Sequence, residues 1–497
     1  MRGIDKRFGA VHANKRVSFA IPGGTIHGII GENGAGKSTA MNILYGFYQA
    51  DGGMVLIDGK EVRIGNSAEA IAAGVGMVHQ HFMLVEPFTV LENILLGAEG
   101  GMTLKAGETK ARAELAALER DYNLEIDLDA RVADLPVGLQ QRVEILKALY
   151  RGARILILDE PTGVLTPQEA DHLFRILRNL KAQGRTVVLI THKLREIMAV
   201  TDNVTVMRRG EVAANVRTAD TSREQLAELM VGRTVLLKVE KTRAQPGEPV
   251  LEIDRLTVRD RSGVERVKNV TFSVRRGEIV GIAGVAGNGQ SELLEAVAGI
   301  RPVTSGTVRV AGREIQDSEG RAEGLGHVPE DRLRLGLIKG FAAYENAVLG
   351  YHDRKAYVRG RFMRRASIIR TCLGWMKGYD VRPSDPALRA SAFSGGNQQK
   401  LVLAREMEHD PDVLLVGQPT RGVDIGAIEF IHKRLIAMRD AGKAILLISV
   451  ELDEIMALSD RIVVMCDGHC TGEVDIEEAE EQSVGLMMAG VPQEKAA

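Results

Sequence analysis

The sequence predicts an α/β fold that occurs twice in tandem, each copy a mostly parallel sheet flanked by helices. Three observations support this prediction. In both halves of the 497-residue chain, short apolar runs with strand character alternate with helical patterns, an order typical of parallel sheets covered on both faces. Segments of the first half recur in the second at a constant distance. Near the start of each half, a glycine-rich loop separates an apolar run from a helical one.

The repeat indicates how the chain is divided into domains. Segments 189–198 and 447–456 are similar and lie 258 positions apart, and Pro161 recurs as Pro419 at the same distance. A period this long indicates a duplicated domain rather than a solenoid. Residues 240–249 are charged and contain two prolines and a glycine, which is typical of an exposed linker. We therefore expect a first domain at 1–240, a linker at 241–249 and a second domain at 250–497.

Each copy is also expected to carry two smaller parts. Residues 55–57 and 308–310 have the pattern of short strands and predict a small antiparallel β lobe. Residues 106–125 and 361–379 have helical patterns and predict a helical subdomain between the glycine-rich loop and the later motifs. The main sheet, the lobe and the helical subdomain together make up each predicted domain.

Composition and charge argue against several classes of protein. Lys and Arg total 64 and Asp and Glu total 66, for a net charge of −2, which disfavours a nucleic-acid binder with a broad basic surface. No apolar run reaches the about 18–20 residues of a membrane span, and residues 1–5 lack the apolar region of a signal peptide. Cysteine is sparse, as in a reducing cytosol. A metal site at Cys466, His469 and Cys470 is disfavoured because no other ligand cluster is in view.

The glycine-rich loop of the first half fits the P-loop pattern G-x-x-x-x-G-K-[ST]. It lies between the apolar run Ile26–Ile30 and a helical run that begins near residue 39. Its glycines let the backbone aim N–H groups at phosphate oxygens, and the helix N-terminus adds its positive end. Lys37 would reach the outer phosphates, and Ser38 would ligate Mg²⁺. The residues expected to hold the nucleotide are Gly31, Glu32, Asn33, Gly34, Ala35, Gly36, Lys37, Ser38 and Thr39.

Two acids follow an apolar strand pattern at residues 155–158. Asp159 would lie at the C-terminal end of that strand, where parallel sheets bind their ligands, and can hold the Mg²⁺ shell there. Glu160 is placed to polarise an attacking water. By itself such a pair also fits a solvated acidic turn, but the upstream P-loop favours the catalytic interpretation.

Three further residues are ambiguous when each is taken alone. His192 follows the apolar run Thr186–Ile190 and also fits an end-of-strand histidine with one hydrogen bond. Gln80 also fits a polar surface loop, and Phe8 fits either a base-stacking residue or a core residue. Their order along the chain carries more information than any one of them.

In this order the motifs resemble the ATPase subunit of ATP-binding cassette (ABC) transporters. The matching features are the P-loop, a Gln loop at Gln80, residues 135–142 in the signature position, the acid pair and a switch histidine at His192. The resemblance covers essentially the whole chain, twice, and implies two tandem P-loop ABC ATPase domains with ATP and Mg²⁺ as cofactors. It implies that Phe8 stacks on adenine, that Gln80 links the nucleotide and its metal to a membrane partner, and that His192 contacts the γ-phosphate.

Within that family the chain is most similar to the duplicated ATPases of simple-sugar and nucleoside importers. Residues 77–85 and 418–424 resemble the nucleoside branch. The resemblance implies two integral-membrane permeases as partners, with an extracytoplasmic substrate-binding protein acting indirectly. It implies a peripheral location at the cytoplasmic face of the inner membrane. It also implies no direct contact with the transported substrate, whose identity the sequence leaves open.

The second half keeps the outline of the motifs but loses most of the charged side chains. Gln290 replaces the P-loop lysine, Glu330 occupies the Gln-loop position, Gly417-Gln418 replaces the acid pair and Val450 replaces the histidine. A neutral amide lacks the attraction of an ammonium for phosphate. The losses predict that the second half does not hydrolyse ATP on its own P-loop.

The signature shows the opposite pattern. In the second half Ser394, Gly395 and Gly396 fit the family signature, a serine and glycines that open a helix and present N–H groups to phosphate. The first half has Pro136 at the position of the serine, without the hydroxyl or the N–H. In the family, two domains sandwich ATP head to tail, each P-loop opposite the other signature. The resemblance therefore implies one intact site, from the first P-loop and the second signature, and one degraded site.

Two other functions remain as alternatives at this point. Soluble tandem-cassette ATPases that act on ribosomes also have two cassettes, but they usually keep both sites intact and carry a long charged linker. A DNA-repair cassette ATPase would carry a long coiled-coil insertion, which this sequence does not resemble. The degraded site and the short linker favour the importer.

Overall fold

The structure is a computed structural model, and it describes residues 1–9, 11–79, 82–98, 104–122, 124–163, 165, 167–234, 241–285, 287–315, 324–423 and 425–491. The chain divides into two compact units, Met1–Val235 and Leu236–Ala497. Each unit is described by itself.

The first unit consists of ten strands and eight helices within its described residues. The strands are β1 Arg2–Phe8, β2 Val11–Val17, β3 Ile26–Ile30, β4 Gly52–Ile57, β5 Lys60–Val62, β6 Val75–Val78, β7 Ile155–Asp159, β8 Thr186–Ile190, β9 Asn203–Arg208 and β10 Glu211–Arg217. The helices are α1 Lys37–Leu44, α2 Ser67–Ala72, α3 Val90–Leu95, α4 Leu104–Tyr122, α5 Val137–Tyr150, α6 Pro167–Ala182, α7 Leu194–Val200 and α8 Arg223–Val231.

Two sheets organise this unit. The larger has the order β10-β9-β3-β8-β7-β6, and its strands are parallel except β10, which pairs antiparallel with β9. The smaller is antiparallel in the order β2-β1-β4-β5. All five residues of β3 and of β8 are buried, as expected for central strands of a sheet covered on both faces. The P-loop joins β3 to α1, so it lies at the carboxyl edge of the sheet.

The second unit repeats this plan. Its strands are β11 Pro249–Arg259, β12 Glu265–Arg275, β13 Ile279–Ala283, β14 Ser305–Val310, β15 Arg313–Glu314, β16 Leu325–Val328, β17 Val358–Arg359, β18 Phe362–Met363, β19 Val413–Gly417, β20 Ala444–Ile448, β21 Arg461–Cys466 and β22 His469–Asp475. Its helices are α9 Gln290–Val297, α10 Ala343–Asn346, α11 Arg365–Gly378, α12 Gly395–Met407, α13 Ile425–Asp440, α14 Leu452–Leu458 and α15 Glu481–Met488.

The sheet orders of the second unit match those of the first strand for strand. Its main sheet runs β16-β19-β20-β13-β21-β22 and its lobe runs β12-β11-β14-β15. Residues of β19 alternate between two apolar cores: Val413 packs with the core that includes the lobe, and Leu414 with the core that includes α12 and α13. Alternation of this kind shows that both faces of the sheet are covered. The predicted α/β fold, with a small antiparallel lobe in each copy, is confirmed.

The helical predictions are confirmed with shifted bounds. The helix expected at 106–125 is α4, and the helix expected at 361–379 is α11. The second helix starts later because β18 occupies Phe362–Met363 and pairs with β17 as a short hairpin. Helical periodicity in the sequence does not reveal such a hairpin, since two-residue strands are too short to show alternation.

The segment expected to be an exposed linker is mostly exposed, with contacts to the second unit. Residues 241–248 contain neither helix nor strand. The ammonium of Lys241 lies 3.8 Å from a carboxylate oxygen of Asp460, and the Gly247 N–H donates to the Arg276 carbonyl at 2.8 Å. These contacts hold the segment against the second unit up to the start of β11.

Among the described residues, four pairs of residues other than glycine adopt left-handed backbone at matching positions of the two units. The pairs, with their φ values, are Arg16 (48°) and Asn269 (55°), Asp58 (51°) and Ala311 (49°), Glu160 (48°) and Gln418 (48°), and Arg209 (52°) and Asp467 (46°). This conformation is unfavourable for side chains with a Cβ, so its recurrence shows that the turns themselves have been duplicated.

Candidate active site

The first P-loop has the backbone geometry of a phosphate-binding loop. Gly34 and Gly36 have φ of 79° and 96°, and a Cβ at Gly36 would collide with the backbone carbonyl of Ala13 and lie 2.7 Å from the side-chain nitrogen of Asn14. Only glycine fits there. Gly36 is the N-cap of α1 and no side chain caps that helix, so the positive end of the helix faces the loop.

Lys37 lies inside the curl of this loop. Its ammonium donates to the carbonyls of Gly31 at 2.7 Å and Glu32 at 3.1 Å, and only 6% of the residue is exposed. The carbonyls of the P-loop therefore hold a positive charge at the centre of the loop, where the phosphates are predicted to bind. An ammonium in this place attracts phosphate oxygens as a point charge.

Ser38 and Asp159 form a pair suited to a hard cation. Asp159 ends β7, and the Ser38 hydroxyl lies on the side of its carboxylate where it lowers the pKa of Asp159. Burial, and then the negative charge of Glu160, raise the pKa of Asp159, while Ser38 and Lys37 act in the opposite direction. A hydroxyl beside a partly desolvated carboxylate fits Mg²⁺, which usually takes one or two carboxylates and completes its octahedron with phosphates and water.

Glu160 and His192 are in direct contact. Their Oε1 and Nδ1 atoms lie 2.9 Å apart. This hydrogen bond is the main reason that the pKa of Glu160 is lowered. The positive charges of Lys37 and Lys193 lower the pKa further. The backbone turn is fixed by the hydrogen bond from the Glu160 N–H to the Ile190 carbonyl at 2.8 Å. The structure thus keeps the Glu160 carboxylate ionised and oriented at the carboxyl edge of the sheet.

Phe8 is not a core residue, although the sequence alone left that open. It ends β1 with 42% of its surface exposed, and the ring of Tyr48 packs edge-on against it with centroids 5.1 Å apart. Tyr48 is itself exposed, and the sequence reasoning missed it. The sequence feature that could have identified Tyr48 is the aromatic pair Phe47-Tyr48, which lies two residues beyond the end of α1. The Gln80 prediction lies outside the described residues.

The second P-loop keeps the backbone and changes the side chains. Gly287 and Gly289 have φ of 94° and 97°. Gln290 takes the place of Lys37 and donates from Nε2 to the Val285 carbonyl at 3.1 Å, the counterpart of the bond from Lys37 to Glu32. Ser291, in the place of Ser38, donates to the carboxylate of Glu330.

The other catalytic positions of the second unit carry no charge. Gln418 has the backbone conformation of Glu160, and its N–H donates to the Ile448 carbonyl at 2.8 Å. Val450 stands in the place of His192, and 41% of it is exposed. An exposed valine beside a buried glutamine provides neither a base nor a donor for a phosphate.

The signature helices α12 and α5 begin alike but are capped differently. Ser394 caps α12 by accepting from the Asn397 N–H, whereas Pro136 precedes α5 without a side-chain cap. The N-cap residues have nearly equal backbone angles, φ −62° and ψ 159° for Ser394 and φ −55° and ψ 152° for Pro136. Gly395 and Gly396 form the first turn of α12. The two helix starts therefore differ in the hydroxyl and the N–H of the N-cap residue and in the side chain of Val137, which stands where α12 has Gly395.

A family model agrees with this duplicated geometry. The model described as "ABC transporter" matches residues 14–163 and again residues 267–421. The chain belongs to the ABC transporter family. Each matched segment runs from the lobe through the P-loop to the loop that follows the acid pair or its replacement. The family is one of ATPases, so the protein is an ATP-binding, ATP-hydrolysing subunit.

Relatives of known function match over the full length of this ABC protein. It is 48% identical to the guanosine import ATP-binding protein NupO of Bacillus subtilis, covering 100% of this chain and 98% of that protein. It is 47% identical to the nucleoside import ATP-binding protein NupA of Lactococcus lactis, covering 99% and 97%. It is 43% identical to the glucose import ATP-binding protein TsgD13 of Haloferax volcanii, covering 99% and 95%.

A solved structure shares the tandem fold. The complex of archaeal ribosomal stalk protein aP1 and ribosome recycling factor aABCE1 matches with a TM-score of 0.65 and 20% identity, covering 98% of this chain and 92% of the matched chain. At that identity the similarity concerns the fold alone. Within the described ranges of our ABC protein, no helix combines the length and the apolar character that a membrane crossing demands.

Proposed function

We propose that this protein is the ATP-hydrolysing subunit of a bacterial-type ABC importer that energises uptake of nucleosides. The observation that carries the proposal is the 47–48% identity, over the full length, to import ATP-binding proteins for guanosine and nucleosides. Residues 77–85 and 418–424 point to the same branch. Simple sugars are the alternative cargo, supported by the glucose relative at 43% identity.

The residues of the first unit supply the chemistry of hydrolysis in this proposal. The P-loop N–H groups and Lys37 hold the phosphates. Ser38 and Asp159, with Gln80, would hold Mg²⁺, and the ion would supply positive charge for the phosphate oxygens. Glu160 orients and polarises the attacking water, and His192 fixes Glu160 through the 2.9 Å contact. Phe8 stacks on the adenine ring. In the second unit, Ser394, Gly395 and Gly396 are proposed as donors to phosphate, as the family resemblance implies.

The proposed partners are two integral-membrane permeases and, indirectly, an extracytoplasmic binding protein. Exposed apolar side chains support docking at the segments 80–92 and 330–346. Met83 and Phe88 are 59% and 39% exposed, and the second unit exposes Leu333, Leu335, Ile338 and Phe341 to between 36% and 43%. Large apolar groups gathered on short surface segments mark protein contacts. The protein would then be peripheral, at the cytoplasmic face of the inner membrane.

The importer can be tested by ATPase assays on the reconstituted complex. The subunit would be assembled with its permeases in liposomes, and the binding protein would be added with guanosine, another nucleoside, ribose or galactose. We expect nucleosides to stimulate turnover more than either sugar. A complex that contains Glu160→Gln serves as the control for contaminating ATPases. A response to a free hexose alone would contradict the nucleoside assignment.

Cell fractionation separates the importer from a ribosome-associated role. An importer subunit should sediment with membranes through its permeases, and extraction with detergent should release it together with them. Co-sedimentation with ribosomes after removal of membranes would overturn the importer proposal.

A further inference from the structure

We propose that the short hairpin formed by β17 and β18 in the second unit is a membrane-contact element that binds anionic lipid headgroups of the cytoplasmic leaflet. Its arginines contact the headgroups, and Phe362 enters the boundary between headgroups and acyl chains. The inference rests on the proposed place of the protein at the inner membrane and adds a lipid contact to the proposed contacts with the permeases. It does not depend on which molecule is transported.

The first observation is a strongly basic stretch in a chain whose charge is otherwise balanced. The whole chain has a net charge of −2, yet residues 354–365 contain no Asp or Glu. The basic residues of this stretch, all of them exposed, are Arg354, Lys355, Arg359, Arg361, Arg364 and Arg365. A local excess of positive charge of this kind attracts an anionic partner.

The arginines nearest the turn are not engaged by the protein itself. Within the described ranges of the chain, Arg359, Arg361 and Arg364 form no ion pair. Arg354, by contrast, lies over the ring of Tyr351 at the base of the hairpin, with Cζ 4.8 Å from the ring centroid. The base is thus held by the fold, while the charges near the turn face solvent.

The second observation is a large apolar side chain beside these charges. Gly360, with φ of 61°, and Arg361 form the two-residue turn, and the strand register places Arg359 opposite Phe362. Opposed residues of an antiparallel pair share one face. Phe362 is 80% exposed, the highest value among the exposed large apolar residues of the described chain, and Met363 is 52% exposed. One face of the hairpin therefore presents an arginine and a phenylalanine side by side.

Packing at the base makes the hairpin a fixed projection. Two strands of two residues each are marginal on their own. The Arg364 N–H donates to the Tyr357 carbonyl at 2.7 Å, next to the last pair of the ladder. Tyr357 is buried in an apolar cluster with Val348, Tyr351 and Ile368. This cluster anchors the hairpin, so its exposed tip is presented to the surroundings in a defined position.

This combination favours a lipid surface over other anionic partners. An aromatic ring suits the headgroup boundary, and neighbouring guanidinium groups suit the lipid phosphates. The cytoplasmic leaflet has a negative surface potential, and each Lys or Arg near it strengthens binding by roughly fivefold. A nucleic-acid site would use a broader basic surface, whereas here the charge is gathered at one turn. A few arginines and one ring give weak, reversible binding, which suits a contact that assists docking on permeases.

The test measures binding of the purified full-length chain, without permeases, to sedimented vesicles. The vesicles contain phosphatidylcholine alone or with about 30% phosphatidylglycerol, at about 0.05 M and about 0.5 M salt. We expect at least tenfold tighter binding to the anionic vesicles at low salt. High salt should remove most of the difference, because exposed charges are screened.

Substitutions locate the contact on the hairpin. Arg359→Glu combined with Arg361→Glu should weaken binding to anionic vesicles at least tenfold, and Phe362→Ser several-fold. Lys60→Glu combined with Arg63→Glu is the matched control, because it changes the net charge equally at exposed positions of the first unit. The control should change the affinity less than twofold. None of these residues belongs to the phosphate site, so the ATPase activity of the chain in detergent-free solution should stay the same in every variant.

A fluorescence measurement tests whether the ring enters the lipid. In Phe362→Trp, the emission of the new tryptophan, after subtraction of the Trp375 signal of the unsubstituted chain, should shift to the blue with anionic vesicles. Lipids brominated on the acyl chains should quench it. An unshifted and unquenched tryptophan would contradict insertion and overturn the proposed role of Phe362.

Three results would overturn the lipid contact itself. They are equal binding to neutral and anionic vesicles, equal weakening by the control variant, and hairpin-dependent binding of an RNA oligonucleotide or of permeases in neutral vesicles without binding to anionic lipid. The vesicle assay contains no permease, so its failure leaves the importer assignment standing. Co-sedimentation with ribosomes would remove the importer and leave a measured lipid affinity in place.

Discussion

The two P-loop regions of this protein have nearly the same backbone and very different charges. Gly36 and Gly289 differ by 1° in φ, and Glu160 and Gln418 have the same φ of 48°. Yet Lys37 is matched by Gln290 and His192 by Val450. The backbone of a phosphate loop can therefore be retained while its charged side chains are replaced. The sheet and its turns determine the shape of the loop, and we expect a few charged side chains to determine whether it hydrolyses ATP.

The physical reason lies in how each property is held. Parallel ladder hydrogen bonds and the fixed turn after β7 or β19 position the backbone without help from the catalytic side chains. Phosphoryl transfer, by contrast, depends on positioned charge. Substitutions at matched positions of the two halves therefore test which side chains hydrolysis requires.

The largest difference is expected at the P-loop cation. Lys37→Ala removes the ammonium that we propose faces the phosphates, and we expect ATPase activity to fall by about 10³-fold with weaker nucleotide binding. Gln290→Ala at the matched position of the second unit should change turnover less than twofold. Steady-state ATPase assays and a fluorescent nucleotide measure both effects. Normal turnover by the Lys37 variant would show that the first loop is not the working site.

The next difference concerns Glu160, the acid that we propose polarises the attacking water. Glu160→Gln should still bind Mg-ATP but hydrolyse it about 10²-fold more slowly. The amide carries no negative charge to polarise the water and cannot accept a proton from it. Gln418→Glu should not raise turnover, since one restored group cannot act without the lysine and histidine. Single-turnover hydrolysis with nucleotide retention measures both variants. A twofold gain from Gln418→Glu would contradict the assignment of hydrolysis to the first loop alone.

A smaller but still clear effect is expected at the signature helices. Ser394→Arg places bulk and positive charge at the exposed start of α12, and turnover should fall at least tenfold if the signature contacts phosphate as the family resemblance implies. Pro136→Ser at the start of α5 should change turnover less than twofold. Circular dichroism checks that both variants fold. An active Ser394→Arg variant would argue against a phosphate contact by this helix.

The smallest effect is on stability and depends on pH. Because burial raises the pKa of Asp159, its proton is bound more tightly in the folded chain, which favours folding at low pH and is lost as pH rises through the raised value. Asp159→Asn should therefore raise the unfolding midpoint by roughly 1–3 °C at pH 7 and by less at pH 4, while abolishing ATPase activity. Asp171→Asn, on the exposed surface of α6, is the control. An equal gain at both pH values would contradict a titration effect.

Much of this site could be predicted from the sequence because its motifs are local. The P-loop is contiguous, and Asp159 and His192 each follow a strand whose apolar pattern is clear. The contact between Glu160 and His192 could be expected from topology, since β7 and β8 are neighbours, but its length and its effect on the pKa required coordinates. Tyr48 beside Phe8 was missed, as aromatic packing joins residues 40 positions apart.

The matched left-handed residues bear on how the two units have diverged in evolution. Each strained turn costs of order 1–3 kcal/mol, and the second unit still bears that cost at Gln418 although no catalytic group stands there. Gene duplication copied the strained turns together with the rest of the fold, and at these turns the side chains have since diverged while the backbone has kept its conformation. Loss of chemistry without loss of scaffold makes the divergence reversible in principle. To give the second unit the charged groups of the first, a designer would exchange the side chains at positions 290, 417, 418 and 450 together and would leave the main chain unchanged.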